Sequence, residues 1–414
     1  MGKPIPYFTS NCSTDMGAAA LAGQGLPAQG YHQSSKRVAD KTGMKIAYVL
    51  TSLGIGGAER QALALADRMA DRGHAVALII LSLRLAPELE WPTNLEVISL
   101  GMDRTPASIL AGITKARGFL RQFRPDLLHG HSFHANMTAR LLRILQPKVP
   151  VVSTFHNVYE GGRRRMLAYR LTDRLCCLTT AVSEAVGRRY IQLKATSAHK
   201  CMVVRNGIDA VEFAPSAERR TAMRHAIGVD QEFVWLASGR IAPSKDYPNL
   251  LRAFARVRAD RKDAVLWIAG SEASASLAAA VRALADDLRL GAAVRWLGLR
   301  NDLPGLLDAA DGFVSASAWE GMPLAVGEAM AMQKAVVATD AGGTREMVGD
   351  AGTIVPLQDA RALSEAMLRS MRGSQQDRDA VGRAARERII KDFSMDARAD
   401  EWEMIYRNVV RKSG

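Results

Sequence analysis

The sequence is poor in cysteine and has no long apolar run. Its four cysteines, Cys12, Cys176, Cys177 and Cys201, lack the spacing of a metal-ligand set, so we expect free thiols in a reducing cytosol. The neighbours Cys176 and Cys177 are expected to face opposite sides of a strand. Because no apolar run reaches about 18 residues, no membrane-spanning helix is predicted. A hydrophobic content of 48% and a charged content of 23% are typical of a globular protein, which we expect in the cytoplasm.

Acidic residues are scarce in one half of the chain. Residues 44–220 contain 25 Lys and Arg against 14 Asp and Glu, a difference of +11, whereas residues 221–414 contain 26 of each. A basic half indicates an anionic partner. Nucleic acid is disfavoured because the arginines are not interleaved with aromatic residues and no nucleic-acid motif is present. An anionic membrane surface fits better, with Arg163–Arg165 as the densest cluster. A merely solvated basic loop is the alternative.

The alternation of apolar and helical segments predicts two α/β domains. A chain of 414 residues exceeds what one hydrophobic core usually supports, and alternating strands and helices are typical of parallel sheets covered on both faces. A turn near residues 206–216 interrupts the pattern, so we place one doubly wound domain at 44–212 and a second at 213–394. Residues 1–43 are predicted to be a disordered extension or to precede the natural start.

The predicted strands of the first half are Lys45–Ser52, Ala75–Leu81, Asp126–Gly130, Val151–His156 and Leu175–Val182. Those of the second half are Phe233–Gly239, Val265–Gly270, Val294–Gly298, Gly312–Ser317 and Ala335–Thr339. Two helices without a strand between them are predicted at the end of the chain, at about residues 378–391 and 395–411.

Two carboxylates and two cations follow predicted strands of the second half. Glu320 and Glu328 are eight residues apart in the segment WEGMPLAVGEAMA, and a carboxylate at a helix start can accept hydrogen bonds from sugar hydroxyls. Arg240 and Lys245 lie in the loop after the first strand of the second domain, where a guanidinium fork and an ammonium group can clamp a diphosphate. Such fixed cations would stabilise a departing nucleoside diphosphate. An unrelated pair of surface cations is the alternative.

Glycine-rich loops occur at two other predicted strand ends. The loop Gly54–Gly57 joins the first strand to a helix, so its backbone can approach a phosphate or a sugar beside a helix N-terminus. A Rossmann dinucleotide site is the alternative, but the third glycine of G-x-G-x-x-G is absent, and the second strand ends at Ser82 without an acidic residue for a ribose. Backbone amides near Gly342 and Gly343 can likewise meet a pyrophosphate or a sugar.

Histidines raise the possibility of a metal site. His129, His131 and His134 lie at one strand-to-helix junction, and His156 ends another strand. No carboxylate or thiolate accompanies them at ligand spacing, so we predict no metal there. Imidazoles at strand ends lie where α/β crevices place functional groups, so His156 is the first functional candidate, His131 the second, and His129 a core or supporting residue. The pair within Asp377–Asp379 is interpreted as a solvated loop, not a cation site.

Taken in order from Met44 to Val355, these segments resemble the retaining glycosyltransferases of family 4, which have the GT-B fold. The segments that carry the resemblance are GGAER at Gly56–Arg60, TFH at Thr154–His156, VSEAV at Val182–Val186, RNGID at Arg205–Asp209, the Arg240 and Lys245 pair, the Glu320 and Glu328 pair, and the loop at Gly342–Glu346. The resemblance implies an α/β fold with two doubly wound Rossmann-like domains facing a central cleft. It also implies that a last helix, 395–414, returns to the first domain.

The same resemblance implies the site. His156, Glu320, Arg240 and Lys245 are its catalytic residues, and the last three are assigned to the donor or its diphosphate. The remaining donor-binding positions are Gly56, Gly57, Met322, Pro323, Leu324 and Glu328. No metal or other cofactor is expected, because the Arg–Lys pair would take a metal's place at the diphosphate.

The reaction implied is transfer of a hexosyl or N-acetylhexosaminyl group from a nucleotide sugar to an acceptor hydroxyl, with retention of configuration. UDP is favoured over GDP by its frequency in the family. The acceptor is expected to be a saccharide or lipid-linked precursor in polysaccharide or glycolipid assembly, with peripheral contact to the cytoplasmic membrane. The alternatives are a nucleotide-sugar-binding protein without transferase activity and another GT-B enzyme, such as an epimerase.

Overall fold

The computed structural model describes residues 43–53, 56–82, 95–103 and 105–413. All of the predicted extension except Gly43 lies outside these residues, as do Gly54 and Ile55 of the first glycine loop. Within the described part, no helix is long and apolar enough to cross a membrane.

A seven-stranded parallel sheet forms the first half, in the order β3-β2-β1-β4-β5-β6-β7. Its strands are β1 Lys45–Leu50, β2 Ala75–Ile80, β3 Glu96–Ser99, β4 Leu127–His131, β5 Val151–Phe155, β6 Leu178–Ala181 and β7 Cys201–Val203. Because β1 lies between β2 and β4, the strand order reverses there, which opens a crevice at the carboxyl ends of these strands.

A six-stranded parallel sheet forms the second half, in the order β10-β9-β8-β11-β12-β13. Its strands are β8 Phe233–Ser238, β9 Ala264–Ala269, β10 Val294–Gly298, β11 Gly312–Ser315, β12 Ala335–Thr339 and β13 Thr353–Val355. Here the order reverses between β8 and β11. The predicted class, α/β with two doubly wound parallel sheets, is confirmed.

Helices cover the sheets. Those of the first half are α1 Gly57–Asp71, α2 Pro106–Phe123, α3 Phe133–Leu145, α4 Arg163–Thr172 and α5 Glu184–Gln192. Those that follow are α6 Ala217–Ile227, α7 Tyr247–Asp260, α8 Ala275–Asp287, α9 Leu303–Ala309, α10 Leu324–Ala331, α11 Thr344–Val348, α12 Ala360–Arg372, α13 Gln375–Asp392 and α14 Met395–Ser413.

The last helix packs on the first sheet. Trp402 and Tyr406 of α14 are buried in the same apolar cluster as Tyr48 of β1 and Leu65 of α1. The chain reaches this position through a short crossing, in which the amide of Ile208 donates to the Phe393 carbonyl at 2.8 Å and the Met395 amide donates to the Ile208 carbonyl at 3.0 Å.

Some local predictions were wrong. Cys176 and Cys177 precede β6 instead of lying in it, because a short 3-10 turn at Asp173–Leu175 delays the strand; both are free thiols, as is Cys201. Asp377 lies in the first turn of α13 and Asp379 follows it in the helix, so neither is in a loop. The side chains of Ser374 and Asp377 accept each other's backbone N–H there, a capping box that starts the helix.

The basic cluster also has a different local structure from a solvated loop. Arg163, Arg164 and Arg165 open α4. Arg165 is held inward, since its guanidinium donates to the Glu160 carbonyl at 2.6 Å and lies 4.7 Å from the centre of the Phe133 ring. Arg163 and Arg164 are exposed. Cations at a helix N-terminus are disfavoured by the helix dipole, so their position is not explained by helix stability.

Candidate active site

The predicted site residues of the second half follow β8 and β11, at the carboxyl edge of the sheet. Lys245 ends a 3-10 turn at Pro243–Lys245 after β8, and Glu320 lies in the loop after β11. The two side chains form an ion pair with 2.5 Å between Lys245 Nζ and Glu320 Oε1. The Ser317 hydroxyl donates to the same carboxylate oxygen at 2.8 Å. The structure therefore joins the predicted phosphate-binding lysine to the predicted sugar-binding glutamate.

Arg240 is exposed and directly follows Gly239 in the loop after β8. Gly239 has φ of 154°, and a Cβ there would lie 2.9 Å from Lys245 Cε. Glycine at this position lets the lysine side chain pass close to the backbone. Across the cleft, burial raises the pKa of the Glu59 carboxyl, and the charge of Arg240 partly opposes that rise.

Glu328 lies inside α10 and is almost completely buried. Its Oε1 is 2.8 Å from Nη2 of Arg60, in the first turn of α1. Burial raises the pKa of Glu328, and the charge of Arg60 is the largest opposing influence, ahead of that of Lys245. The GGAER motif contains Arg60 but does not by itself indicate a role for it. No feature of the sequence alone pairs it with a carboxylate 268 positions later.

The remaining donor-binding candidates divide into contact and core positions. Gly57 faces α10, where a Cβ would lie 3.6 Å from Leu324 Cδ1. Gly56 precedes the helix as its N-cap residue, and Pro323 has the same place before α10. Met322 is buried, and its carbonyl accepts a hydrogen bond from Asn206 Nδ2 at 3.2 Å. The structure thus places Met322 in the interface core.

His156 joins the two halves of the site. A Cβ at Gly321 would overlap the His156 carbonyl oxygen, so the glycine after Glu320 permits direct backbone contact with the first domain. His156 Nε2 lies 2.9 Å from Nδ1 of His131. Burial lowers the pKa of His156 to about 4 and lowers that of His131 strongly. Both imidazoles are therefore neutral at neutral pH, suited to hydrogen bonding and not to carrying charge.

His129 lies deeper than this pair. Its Nδ1 is 2.7 Å from the Tyr406 hydroxyl and its Nε2 is 2.7 Å from Thr154 Oγ1. Burial lowers its pKa well below the usual histidine value. Both ring nitrogens are occupied by protein groups, which fits the core or supporting role predicted for it. His134 lies exposed in the first turn of α3.

One carboxyl group near the site was missed by the sequence analysis. Glu160 accepts a hydrogen bond from the backbone N–H of His156 at 3.1 Å and one from the Tyr169 hydroxyl at 2.8 Å. Burial raises its pKa to about 7. A lone glutamate four residues after a histidine carries no recognisable sequence signal, because its partner on the strand is a backbone amide.

The described part of the chain has no cluster of three or more His, Cys, Asp or Glu side chains arranged to hold a metal ion. The metal independence of the reaction stays a prediction, since it concerns turnover. The charged groups of the site include Arg60, Arg240, Lys245, Glu320 and Glu328, together with the carboxyl groups of Glu59 and Glu212. Together they can bind an anion beside groups that accept sugar hydroxyls.

Comparison with known proteins gives the same family for both halves. Residues 55–212 match the model of "Glycosyltransferase Family 4", and residues 232–372 match that of "Glycosyl transferases group 1". The chain is 26% identical over 310 residues to the Escherichia coli UDP-Gal:alpha-D-GlcNAc-diphosphoundecaprenol alpha-1,3-galactosyltransferase, covering 70% of this chain and 77% of that protein. It is 29% identical over 311 residues to the alpha-maltose-1-phosphate synthase of Mycobacterium tuberculosis, covering 68% of this chain and 79% of the synthase.

The fold is also that of solved glycosyltransferases. The crystal structure of Anabaena HepE in complex with UDP and glucose superposes with a TM-score of 0.77 at 21% identity, covering 88% of this chain and all of that one. The order of the motifs, the family models matched by the two domains and the two parallel sheets all indicate the same family. The chain belongs to the group 1, family 4 glycosyltransferases, enzymes of the GT-B fold that transfer a sugar from a nucleotide sugar.

Proposed function

We propose that this protein is a retaining, metal-independent glycosyltransferase that moves a hexosyl or N-acetylhexosaminyl group from a UDP-sugar to an acceptor hydroxyl. The observation that carries the proposal is the Lys245–Glu320 pair, with 2.5 Å between its charged atoms, at the edge where Arg240 and His156 also lie. In this proposal Lys245 is the cation for the diphosphate, and Glu320 beside it is the carboxylate for the sugar. The UDP named with HepE and with the Escherichia coli relative supports the choice of nucleotide.

The site residues have the following roles in the proposed reaction. Lys245 and Arg240 bind the departing diphosphate and stabilise the charge that develops as the bond from the anomeric carbon to phosphate breaks. Glu328 accepts a hydrogen bond from the ribose, and Glu320 contacts the sugar hydroxyls or the developing oxocarbenium ion. The neutral imidazole of His156 orients the sugar or the acceptor.

Retention follows from attack on the same face. The acceptor oxygen bonds to the anomeric carbon on the side that the phosphate leaves, and the acceptor proton passes to a departing phosphate oxygen. Because attack on the same face retains the configuration in one step, Glu320 needs no nucleophilic role; its Oε1 lies 2.5 Å from Lys245 Nζ and accepts a hydrogen bond from the Ser317 hydroxyl. Isolation of a glycosyl ester on Glu320 would refute this mechanism.

The acceptor is proposed to be a lipid-linked or polysaccharide precursor at the inner face of the cytoplasmic membrane. Helices α2, α3 and α4 contain no Asp or Glu and nine Lys and Arg, of which Arg140 is buried and Arg165 is held inward. They also expose large apolar side chains, including Leu110 at 68%, Ile144 at 58% and Leu171 at 73%. Cations with exposed apolar side chains between them suit an anionic bilayer surface. The exposed Arg163 and Arg164, poorly placed for helix stability, fit the same surface.

Vesicle binding tests the membrane contact. Sedimentation with vesicles that contain phosphatidylglycerol is expected at low salt and should weaken as the salt concentration rises. Arg163→Glu with Arg164→Glu should reduce binding, whereas the control Arg361→Glu, at an exposed position in the first turn of α12, should not. Binding that is absent at low salt, or equal for both variants, would contradict the contact.

Nucleotide binding and turnover test the reaction. A thermal-shift panel with UDP, GDP, ADP, NAD and nucleotide sugars, in excess EDTA, should show a shift with one nucleoside diphosphate and its sugar conjugates. A ligand at 100 times its Kd adds about 2.7 kcal/mol to the free energy of unfolding. Transfer that survives EDTA and gives a product with the donor's anomeric configuration is expected. A shift with NAD alone, conversion of the nucleotide sugar without an acceptor, or binding without transfer to any acceptor would favour the alternatives.

A further inference from the structure

Arg60 reaches from the first domain to a carboxylate of the second. Its side chain is 38% exposed, whereas that of its partner Glu328 is 4% exposed. The first turn of α1 is seated against α10, as the 3.6 Å separation between Leu324 Cδ1 and a Cβ at Gly57 indicates. A buried carboxylate of one domain therefore receives its closest countercharge from the other.

The two oxygens of Glu328 have different surroundings. Oε1 is bound by Arg60 at 2.8 Å. Oε2 is buried, and it has no hydrogen-bond partner among the residues that the structure describes. A buried acceptor of this kind is costly unless a donor reaches it. A hydroxyl group arriving at Oε2 would complete the carboxylate without displacing Arg60.

Burial works against the ionised form of Glu328, and Arg60 is the largest opposing influence on its pKa. Without the guanidinium, the carboxyl group would be more readily protonated. A protonated carboxyl group is a weaker acceptor, because hydrogen bonds to charged groups are the stronger ones. Arg60 thus maintains the charge of Glu328 and contacts only one of its two oxygens.

We infer that Arg60 is a positioning residue for donor recognition: it holds Glu328 as a carboxylate whose Oε2 accepts a hydroxyl of the donor ribose. This inference rests on the proposed function, in which Glu328 binds the ribose. It adds that the ribose subsite spans both domains, so that the donor nucleotide binds fully only when α1 lies against α10.

Calorimetric titration with UDP and with 2′,3′-dideoxy-UDP tests this assignment. Arg60→Ala is expected to raise the Kd of UDP about tenfold and to leave that of the dideoxy analogue nearly unchanged. Arg60→Lys should restore part of the affinity for UDP. In a Glu328→Gln background, adding Arg60→Ala should have no further effect on UDP, because the carboxylate it supports is gone.

The pH dependence provides a second readout. As the pH is lowered, the UDP affinity of Arg60→Ala should fall more steeply than that of the wild type, because Glu328 protonates more readily without its countercharge. Glu212 is the other carboxyl group whose charge interacts with both Arg60 and Glu328. Arg68→Ala is the matched control. Arg68 lies on the same helix and pairs with Asp209 at 2.7 Å and Asp396 at 3.0 Å, neither of which belongs to α10. It should lower stability without changing the ratio of the two Kd values.

Three results would overturn the inference: an unchanged Kd ratio in Arg60→Ala, tighter UDP binding by that variant, or the same loss of discrimination in Arg68→Ala. Tighter binding would mean that the ion pair competes with the donor. Failure of the proposed function is distinguishable, since the wild type would then bind none of UDP, GDP or ADP. Equal wild-type affinity for UDP and its dideoxy analogue would refute the ribose role of Glu328 and, with it, the role of Arg60.

Discussion

The two sheets have the same parallel, doubly wound architecture, but their central strands bury different side chains. In the first sheet, β4, β5 and β6 bury polar residues, namely His129, His131, Ser153, Thr154, Thr179 and Thr180. In the second sheet, β8 and β9 bury apolar residues, with Trp235 and Trp267 fully enclosed. The first sheet therefore has a hydrogen-bonded centre, and the second has a hydrophobic one.

The two sheets therefore fix their site residues in different ways. In the first half, Thr154 Oγ1 is 2.7 Å from Thr180 Oγ1 and 2.7 Å from His129, which also meets Tyr406 of α14. A connected buried network fixes the strand ends that carry His131 and His156. In the second half, Lys245 and Glu320 lie in loops above an apolar base. We therefore expect substitutions in the second half to affect turnover and those in the first half to affect stability as well.

The largest expected effect concerns the loop cation. Lys245→Ala should lower kcat by about 100-fold to 1,000-fold, the usual loss when one fixed group that stabilises transition-state charge is removed. The effect on its free energy of unfolding should be the smaller one, because the Ser317 hydroxyl still donates to the Glu320 carboxylate once the ammonium group is gone. Steady-state kinetics at saturating donor and urea unfolding measure the two quantities.

The control is Lys262→Ala, which removes an exposed lysine before β9. It should leave both kcat and the unfolding midpoint unchanged. Full transfer rate in Lys245→Ala at saturating donor would contradict the diphosphate clamp and the division between the sheets.

An effect on stability is expected in the buried network of the first sheet, which Tyr406 of α14 joins. Tyr406→Phe removes a hydroxyl that lies 2.7 Å from His129 Nδ1 and 3.1 Å from the Tyr48 hydroxyl, all of them buried. Leaving such groups unpartnered should lower the free energy of unfolding by about 1–3 kcal/mol. Tyr247→Phe, in the second domain, removes one bond to the Gly239 carbonyl and should cost less. Equal urea-unfolding midpoints for the two variants would contradict the proposed difference between the two sheets.

The sequence is sufficient to predict the second half in more detail than the first. The strands at Phe233–Ser238 and Ala264–Ala269 are continuous apolar runs, which is typical of parallel strands buried on both faces. The half-exposed edge strand Glu96–Ser99 has no comparable pattern, and neither do the three-residue strands Cys201–Val203 and, in the second half, Thr353–Val355. None of the three was predicted. Short edge strands depend on pairing with a neighbour, which a local pattern does not record.

The site residues also differ in how far the sequence alone identifies them. Glu320, Glu328, Arg240 and Lys245 stand in motifs of fixed spacing, so the sequence identifies them as candidates. Arg60 and Glu160 act through partners that only folding brings near.

The capping box of Ser374 and Asp377 is a local feature that the sequence does record, as S-x-x-D before a helix. The prediction of a loop at this position did not take it into account.

The buried Glu160 gives a pH dependence of stability. Its pKa in the folded protein, about 7, is above the usual glutamate value of 4.5. The native state therefore holds more protons than the unfolded state between these values, so the free energy of unfolding should fall as pH rises through that window. Burial is the largest cause of the raised pKa; the groups facing the carboxyl are Arg165 and Tyr169 of α4, Tyr190 of α5 and the His156 backbone amide.

Glu160→Gln should remove this contribution while keeping an acceptor for the His156 amide. Subtracting the variant's pH profile of unfolding free energy from that of the wild type isolates Glu160 from the three buried histidines, whose lowered pKa values make stability fall towards acidic pH. The wild type should lose stability relative to the variant between about pH 5 and pH 8. Parallel profiles would show that the carboxyl group ionises normally.

The smallest expected effect compares two helix N-termini. Glu346 of α11 accepts the backbone N–H groups of Glu184 and Ala185, at 3.1 and 3.2 Å, so the second domain caps α5 of the first. Ser374 caps α13 within its own domain, accepting the Asp377 amide at 3.1 Å. Glu346→Ala and Ser374→Ala should each lower the free energy of unfolding by about 1 kcal/mol. Only Glu346→Ala should also raise the Kd of UDP, by about twofold to fivefold, because its cap stabilises the contact between the domains that donor binding requires. If both variants leave UDP binding unchanged, the cross-domain cap contributes to folding alone, and the first domain influences the donor through α1 and the His156 loop.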